Sequence, residues 1–211
     1  MTFQRARTQE QIEERKKEIL NACKKIYLES GYDFITIDKI SKFTSISRPA
    51  LYNYYSTKEE IILELLLNCY LETGELLKPK FENLSTISKE EFSELLARTL
   101  SEQDLFLSLN SIYLLSLEKN CTQEALNRFR SQRQPFFETL HYGIKKFFPK
   151  ITVKQENEFV IFLIALINGS YPITHLTDKQ LKAMKISVPD YEPPKFYDIC
   201  KSGIYKLIRD F

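Results

Sequence analysis

The sequence predicts an all-α protein. Ser or Thr stands three residues before Glu or Gln ahead of several apolar runs, which is the capping-box pattern of a helix start. Apolar residues within these runs recur at helical spacings of three and four. No segment shows a convincing strand pattern. We therefore expect about nine helices, arranged as a small N-terminal unit at residues 1–58 and a larger helical body at residues 59–211.

The N-terminal unit begins with a long helix. Thr8–Gln11 has the form of a capping box, in which each side chain satisfies a free backbone N–H at the helix start. The following residues place an apolar stripe on one face, formed by Ile12, Ile19, Cys23, Ile26 and Tyr27. Gly31 ends this helix, since glycine is the usual residue just past a last helical turn.

Two short helices follow, separated by the small-residue turn Thr44–Ser47. Thr36 can cap the second helix and Ser47 the third, because their hydroxyl groups accept free N–H groups of a first turn. Pro49 suits that first turn, where its missing N–H has no helical partner to lose. The apolar contacts between these helices are predicted to come from Ile37, Ile40, Ile46 and Leu51.

Further capping boxes and apolar runs predict the helical body. The helix opened by Thr57–Glu60 is apolar nearly all round in its first half and should end near Leu77, ahead of Pro79. A long helix at residues 122–147 should kink at Pro135. Other helices are predicted after Ser88 and at about residues 105–117, 153–169, 177–184 and 194–209.

Composition narrows the class of protein. The chain has two histidines and no C-x-x-C pair, so no zinc spacing exists and we expect no cofactor. Residues 1–17 lack the apolar core of a secretory signal, and the longest apolar run, Phe159–Ile167, is about half a membrane-spanning helix. We therefore expect a cytoplasmic protein without a membrane partner. Its cysteines should be inert packing residues, with a redox-sensing thiol as the alternative: Cys23, Cys69, Cys121 and Cys200.

The charge distribution is uneven. Residues 1–58 carry 11 Lys and Arg against 7 Asp and Glu, whereas residues 59–211 carry 19 against 21. A basic head on a weakly acidic body indicates a polyanion partner for the head. A solvated basic helix face would carry the same charge. Charge alone therefore does not distinguish a polyanion-binding head from an ordinary solvated surface, and the sequence motif is the stronger indication.

The motif at Thr36–Ile61 predicts a DNA-binding surface. Two short helices joined by a tight turn form a helix-turn-helix, whose second helix meets base edges in the major groove. Arg48, near the start of that helix, can pair with guanine through two hydrogen bonds. Tyr52 and Tyr54 are long enough to reach a phosphate or a base edge, unless they are half-buried packing residues. Lys58 lies at a helix start, where free N–H groups also favour a phosphate.

This segment, TIDKISKFTSISRPALYNYYSTKEEI, resembles the N-terminal domain of the TetR family of transcriptional regulators. The family pattern is T-[IV]-x-x-I-A-x-x-A-G-V-S-x-x-x-L-Y-x-[HY]-F-x-x-K-E-x-[LI]. Ser45 replaces the turn glycine of the pattern, which would cost about 1 kcal/mol if the position were left-handed. Tyr55 replaces the usual phenylalanine, so its hydroxyl should face solvent or find a partner.

The resemblance implies a palindromic double-stranded DNA operator as the partner. Matching positions imply phosphate or backbone contacts for Thr36, Tyr52 and Lys58 and a further contact for Tyr54. Base reading falls to the variable positions at the start of the recognition helix, so that the full predicted DNA-binding set is Thr36, Ser47, Arg48, Pro49, Ala50, Tyr52, Asn53, Tyr54 and Lys58.

Relatives of this kind bind DNA as homodimers and leave it when a small molecule enters the helical body. The resemblance assigns the dimer interface to helices near residues 153–171 and 195–209, although the apolar run at Phe159–Ile167 would also suit a central core. Polar or aromatic groups among apolar helical residues are predicted to line the ligand site: Asn110, Tyr113, Phe137, His141, Asn168 and Tyr171.

The main hypothesis is therefore a ligand-responsive transcriptional regulator, with repressor or activator left open. The alternative is a helical protein–protein interaction module or co-regulator that has lost autonomous DNA binding. No nucleophile, base and orienting group occur at a telling spacing, and the chain has no phosphate-binding loop, so we do not expect an enzyme.

Overall fold

The computed structural model describes residues 8–211, and the all-α prediction is confirmed for them. Residues 1–7, which open the predicted N-terminal domain, lie outside the described residues. The described range contains eleven α-helices where about nine were predicted: α1 (Gln9–Ser30), α2 (Ile37–Lys42), α3 (Arg48–Leu51), α4 (Lys58–Glu82), α5 (Lys89–Ser101), α6 (Asp104–Ile112), α7 (Gln123–Gln132), α8 (Gln134–Phe147), α9 (Val153–Thr174), α10 (Asp178–Ser187) and α11 (Phe196–Ile208).

Local capping chemistry explains where most helices begin. Reciprocal capping boxes join Thr8 to Gln11, Ser88 to Glu91 and Thr152 to Gln155, each through both the side chain and the backbone. Thr177 and Gln180 form a fourth box, which opens α10. These bonds satisfy N–H groups that have no partner inside the helix.

The start of α4 departs from the predicted capping box. The Thr57 hydroxyl accepts the Glu60 backbone N–H at 3.2 Å, as expected. The Glu60 carboxylate, however, accepts the backbone N–H of Ser56 at 2.8 Å. It also reaches the N-terminus of α7, so this carboxylate joins two helix starts.

Several predicted helix ends were wrong. α4 continues past Pro79 to Glu82, where the Lys146 ammonium donates to the carbonyls of Phe81 (2.9 Å) and Glu82 (3.0 Å). The predicted long helix at residues 122–147 is two helices, α7 and α8, and Pro135 lies in the first turn of α8 rather than at a kink. A first-turn proline has no helical hydrogen bond to lose, so the chain breaks before it.

The predicted helix at residues 105–117 also changes form along its length. α6 ends at Ile112, and Tyr113–Leu117 continues as a π-helical turn, followed by a 3-10 turn at Glu118–Asn120. α9 passes its predicted end at Gly169 and includes Pro172 before it stops at Thr174.

The described residues divide into two compact units. The first comprises the described residues up to Asn68 together with Ile112–Gln132. The second comprises Cys69–Ser111 and Arg133–Phe211. The predicted domain division between residues 58 and 59 stays a prediction.

Candidate DNA-binding face

The helix-turn-helix is held together by a small apolar core. Ile40, Ile46 and Leu51 are at most 1% exposed, while Ile37 is half-buried. The Thr36 hydroxyl accepts the Lys39 backbone N–H at 3.0 Å and so caps α2. Ser47 precedes α3 but makes no side-chain capping bond. Ser47 is exposed just before the helix that the motif assigns to the major groove.

The turn between α2 and α3 needs no left-handed residue. Among the described residues, no residue other than glycine has a positive φ, so the strain considered for Ser45 does not arise. The Thr44 hydroxyl accepts the Ile46 backbone N–H at 3.3 Å and donates within the turn. Hydrogen bonds of the Thr44 hydroxyl therefore stabilise this turn.

A carboxylate from α1 also organises the turn. Glu18 accepts the backbone N–H of Ser45 with one oxygen and the Ser45 hydroxyl with the other, the latter at 3.1 Å. Arg15 donates to Glu18 at 3.1 Å and also to the Ser45 hydroxyl. Burial works against ionisation, but the hydrogen bonds from Ser45 and Arg15 outweigh it and lower the pKa of Glu18. The carboxylate is thus ionised at neutral pH and bound to the turn.

Most predicted DNA-binding side chains are accessible. Arg48 is the first residue of α3 and is exposed, and Tyr52 is 51% exposed one residue after the end of that helix. Tyr54 and Lys58 are half-buried. Thr36, Ser47, Pro49 and Asn53 are exposed.

Ala50 departs from the prediction. It is 7% exposed and belongs to the core. α3 has only four residues, and two of them, Ala50 and Leu51, face inward. We therefore leave Ala50 out of the candidate interface.

Lys58 lies beside an aromatic ring at the start of α4. Its ammonium is 4.5 Å from the centroid of the Tyr32 ring, at cation–π distance. The Tyr32 hydroxyl donates to Glu59 at 3.0 Å, and burial together with that carboxylate raises the pKa of Tyr32 to about 12. Tyr32 thus remains neutral and restricts the position of the lysine.

The hydroxyl of Tyr55 does not face solvent. Tyr55 is 2% exposed, and burial together with the Glu64 carboxylate raises its pKa. The Lys16 ammonium lies 5.5 Å from its ring and bonds Glu64 at 3.3 Å. Tyr55 is therefore a buried packing residue that stabilises the helix-turn-helix.

A buried carboxylate links the start of α4 to residues far along the chain. Glu60 is 6% exposed and accepts the Thr122 hydroxyl at 2.7 Å and the Thr122 backbone N–H at 3.1 Å. Burial opposes ionisation, but the bonds from Thr122 and Ser56 outweigh it and lower the pKa of Glu60. The N-termini of α4 and α7 are thereby held together within the first unit.

Sequence reasoning missed these supporting residues. Glu18 lies 27 residues from Ser45, and Glu60 lies 62 residues from Thr122. No spacing rule relates residues that far apart. The only local signals are Glu60 at the third position of a capping box and the three hydroxyl residues of the turn, which need partners.

The predicted ligand-site residues fall into several places. Asn110 is 2% exposed and accepts the Tyr70 hydroxyl at 2.6 Å, and the Phe137 ring lies 6.0 Å from the Tyr70 ring. The Arg133 guanidinium stands over both rings, at 5.5 Å from Tyr70 and 5.2 Å from Phe137. Asn110 and Phe137 are thus brought together around Tyr70, which sequence reasoning did not single out.

The other four predicted ligand residues do not join this group in the structure. His141 lies 2.6 Å from Glu156, which is 3% exposed, and Tyr171 donates to Asp104 at 3.0 Å. The side-chain oxygen of Asn168 is buried without a hydrogen-bond partner among the described residues. Tyr113 belongs to the first unit.

The helices predicted to form the dimer interface are only partly covered within one chain. On α9, Ile161 is 64% exposed and Phe162 is 53% exposed. α11 buries Cys200, Ile204 and Ile208 within the second unit. Length and apolar composition alone would also let α9 cross a membrane, but one such helix is weak evidence for a membrane protein.

Comparison with known proteins agrees with this geometry. The family model described as bacterial regulatory proteins, tetR family, matches residues 19–65. The model described as tetracyclin repressor-like, C-terminal domain, matches residues 76–196. A curated relative is IcaR of Staphylococcus epidermidis, the biofilm operon icaADBC HTH-type negative transcriptional regulator. It is 28% identical over 155 residues, which cover 72% of this chain and 78% of that protein.

Solved structures share the fold. A TetR-family transcriptional regulator from Mesorhizobium loti has a TM-score of 0.58 at 15% identity and covers 96% of this chain and 98% of its own. The fatty acid degradation regulator FadR from Bacillus halodurans has a TM-score of 0.60 at 14% identity and covers 92% of this chain and 98% of its own. At these identities the likeness concerns the fold.

Proposed function

Since this chain belongs to the tetR family of bacterial regulatory proteins, which are DNA-binding transcriptional regulators, we propose that it is a repressor that binds a palindromic operator as a homodimer. The observation that carries the proposal is the exposed series Arg48, Tyr52 and Asn53 at the second helix of the helix-turn-helix. Repression is favoured by IcaR, whose name describes a negative regulator. We further propose a cytoplasmic protein without enzymatic activity.

Arg48 is the proposed base-reading residue. It opens α3, its guanidinium is exposed, and two parallel N–H groups can pair with the O6 and N7 acceptors of guanine. Tyr52, Lys58 and Thr36 are proposed to contact the phosphate backbone. Thr36 and Lys58 lie at helix starts, where the backbone also favours an anion.

Single substitutions test these roles on the full-length protein. The probe is a labelled duplex. It carries the DNA site that the wild-type protein retains most strongly from a pool of sheared genomic fragments. We expect Arg48→Ala to cost about 1–3 kcal/mol and to relax the preference at one base pair. Arg48→Lys is the control, since it keeps the charge and loses the paired geometry. An unchanged sequence preference in Arg48→Ala would exclude base reading by this residue.

The phosphate contacts call for a different readout. Lys58→Ala should weaken binding to all duplexes alike and reduce the slope of log affinity against log salt by about one. Tyr52→Phe removes only the hydroxyl and should weaken binding across sequences without changing the preferred site. A change of preferred site in either variant would contradict the assignment.

Homodimerisation is proposed to use α9 and α11, within the ranges 153–171 and 195–209. The exposed Ile161 and Phe162 of α9 support this, because exposed apolar side chains are stabilised when they are buried against another apolar surface. A two-fold dimer would present its recognition helices to half-sites about one DNA turn apart, roughly 34–36 Å.

A small-molecule effector is proposed to bind the second unit. The group of Tyr70, Asn110, Phe137 and Arg133 supports the proposal, since it combines aromatic rings with a polar amide and a cation. Ligand would prefer a state whose recognition helices no longer match the half-sites, and so would shift the population away from DNA. In a thermal-shift screen, a ligand that stabilises the wild type should lose its effect in Phe137→Ala. A shift that persists would move the site elsewhere.

A further inference from the structure

Glu18 fixes the turn of the helix-turn-helix from outside the motif. Both oxygens of this α1 carboxylate bond Ser45, one to its backbone N–H and one to its hydroxyl. Arg15, one turn earlier on α1, bonds the carboxylate and the same hydroxyl. We propose that Glu18 is a positioning residue for DNA binding, which orients α3 by holding Ser45. The inference rests on the proposed DNA-binding face.

The position of Ser45 controls the start of α3. The next residue, Ile46, is 1% exposed and anchors the turn in the core. Arg48 follows three residues after Ser45 and is the first residue of α3. Only Ile46 and Ser47 separate Ser45 from Arg48, so we expect a displacement of Ser45 to move the start of α3.

The two halves of the turn are held by different partners. Thr44 bonds within the turn, to Ile46 and Ser41. Ser45 is exposed, and the bonds of its N–H and hydroxyl go to α1. Without Glu18, the Ser45 N–H would turn to water, and Thr44 alone would set the path of the chain into α3.

The expected effect on DNA recognition exceeds the expected effect on stability. The side chains of Arg15 and Glu18 are 31% and 32% exposed, and ion pairs at such sites stabilise a fold only weakly. A paired contact to guanine, in contrast, requires good distance and angle at both hydrogen bonds. A small reorientation of α3 therefore reduces specific affinity while the fold persists.

The experiment measures specific and non-specific affinity in Glu18→Ala. The full-length variant is titrated against a labelled duplex that carries the enriched genomic site and against a scrambled duplex, well below the melting temperature. We expect specific affinity to fall about tenfold, which is the scale of one hydrogen bond to a charged group, and non-specific affinity to stay within about twofold. Glu14→Ala is the matched control, because it removes an exposed carboxylate from the same helix and should bind like the wild type.

Ser45→Ala shows whether Glu18 acts through the turn. This variant removes only the hydroxyl and should lower specific affinity about threefold. If Glu18 acts through Ser45, adding Ser45→Ala to Glu18→Ala should cause little further loss, because the carboxylate that accepts the Ser45 hydroxyl is already gone and only the bond from Arg15 is left to lose. Independent, multiplying losses would overturn the proposal. Ser45→Ala also remains informative if Glu18→Ala does not fold.

The outcomes separate this inference from the proposed function. A Glu18→Ala protein that melts earlier but binds the specific duplex with wild-type affinity would show a purely structural role and overturn the inference, leaving the regulator intact. A wild-type protein that does not distinguish the two duplexes would instead refute the proposed operator binding itself.

Discussion

Replacing Glu60 by glutamine should clearly destabilise the protein, although the two side chains have nearly the same size and shape. The carboxylate accepts three hydrogen bonds, from the Ser56 N–H and from the N–H and hydroxyl of Thr122, and the residue is 6% exposed. Glutamine has the same shape but only one accepting oxygen. If that oxygen serves Thr122, the amide N–H₂ group faces the Ser56 N–H, so a bond is lost and two donors oppose each other.

The expected magnitude follows from these bonds. Hydrogen bonds to a charged group contribute about 1.5–3 kcal/mol each, and a buried donor left without an acceptor costs a similar amount. We therefore expect Glu60→Gln to lower the free energy of unfolding by about 2–3 kcal/mol at pH 7. Thr122→Val removes the hydroxyl, which donates to Glu60 and also accepts the Ala125 backbone N–H at 3.3 Å, and should cost about 1–2 kcal/mol.

The assay is denaturant unfolding followed by far-ultraviolet circular dichroism, at one protein concentration because a dimer's stability depends on concentration. The exposed Glu124→Gln is the control on the neighbouring helix and should change little. A Glu60→Gln protein within about 0.5 kcal/mol of the wild type at pH 7, the usual range for a surface substitution, would show that the three bonds to Glu60 do not stabilise the fold.

The stabilisation by Glu60 should depend on pH in a defined direction. The folded pKa of Glu60 lies below its ordinary value of 4.5, so the ionised group stabilises the fold above that value. This contribution is lost as the pH falls through the folded pKa. The gap between the wild type and Glu60→Gln should therefore narrow in acid, and a gap that widens would contradict the assignment.

Three further predictions concern packing, assembly and thiol chemistry. Gly143→Ala should lower stability by about 1–3 kcal/mol, since its Cβ would lie 2.5 Å from the fully buried ring of Phe81; a thermal melt equal to that of the wild type would contradict this. Phe162→Asp should weaken the dimer at least tenfold in sedimentation experiments, whereas Ile186→Asp, an exposed residue outside the proposed interface, should not. Burial, and then nearby carboxylates, raise the pKa of Cys121 to about 12, so it should react with iodoacetamide more slowly in the folded protein than in the unfolded one, and equal rates would reopen the redox-sensing alternative.

Features with local causes were the ones that sequence could predict. The caps at Thr36, Ser88 and Thr152 depend on residues three positions apart, so the pattern contains both partners. The buried positions Ile40 and Leu51 follow in the same way from helical spacing. The all-α class and the helix-turn-helix are built from such local elements.

Features that depend on distant residues could not be predicted. α4 passes Pro79, and the carbonyls of its last turn accept hydrogen bonds from Lys146 on another helix. The turn of the motif depends in the same way on Glu18 of α1. Ala50 was assigned to the DNA-binding set because its position matches the motif. The motif does not indicate which residues of a four-residue helix face inward, and Ala50 is buried.

The surface around Arg48 is proposed to read a DNA sequence. The most direct measurement mixes the purified wild-type protein with sheared genomic DNA from its own source, at about 150 mM salt because affinity depends steeply on salt, and sequences what is retained. We expect a sharp palindromic site that is lost from the enriched pool when Arg48→Ala replaces the wild type. Retention of DNA without any shared site, or no retention by protein free of co-purified ligand, would contradict it.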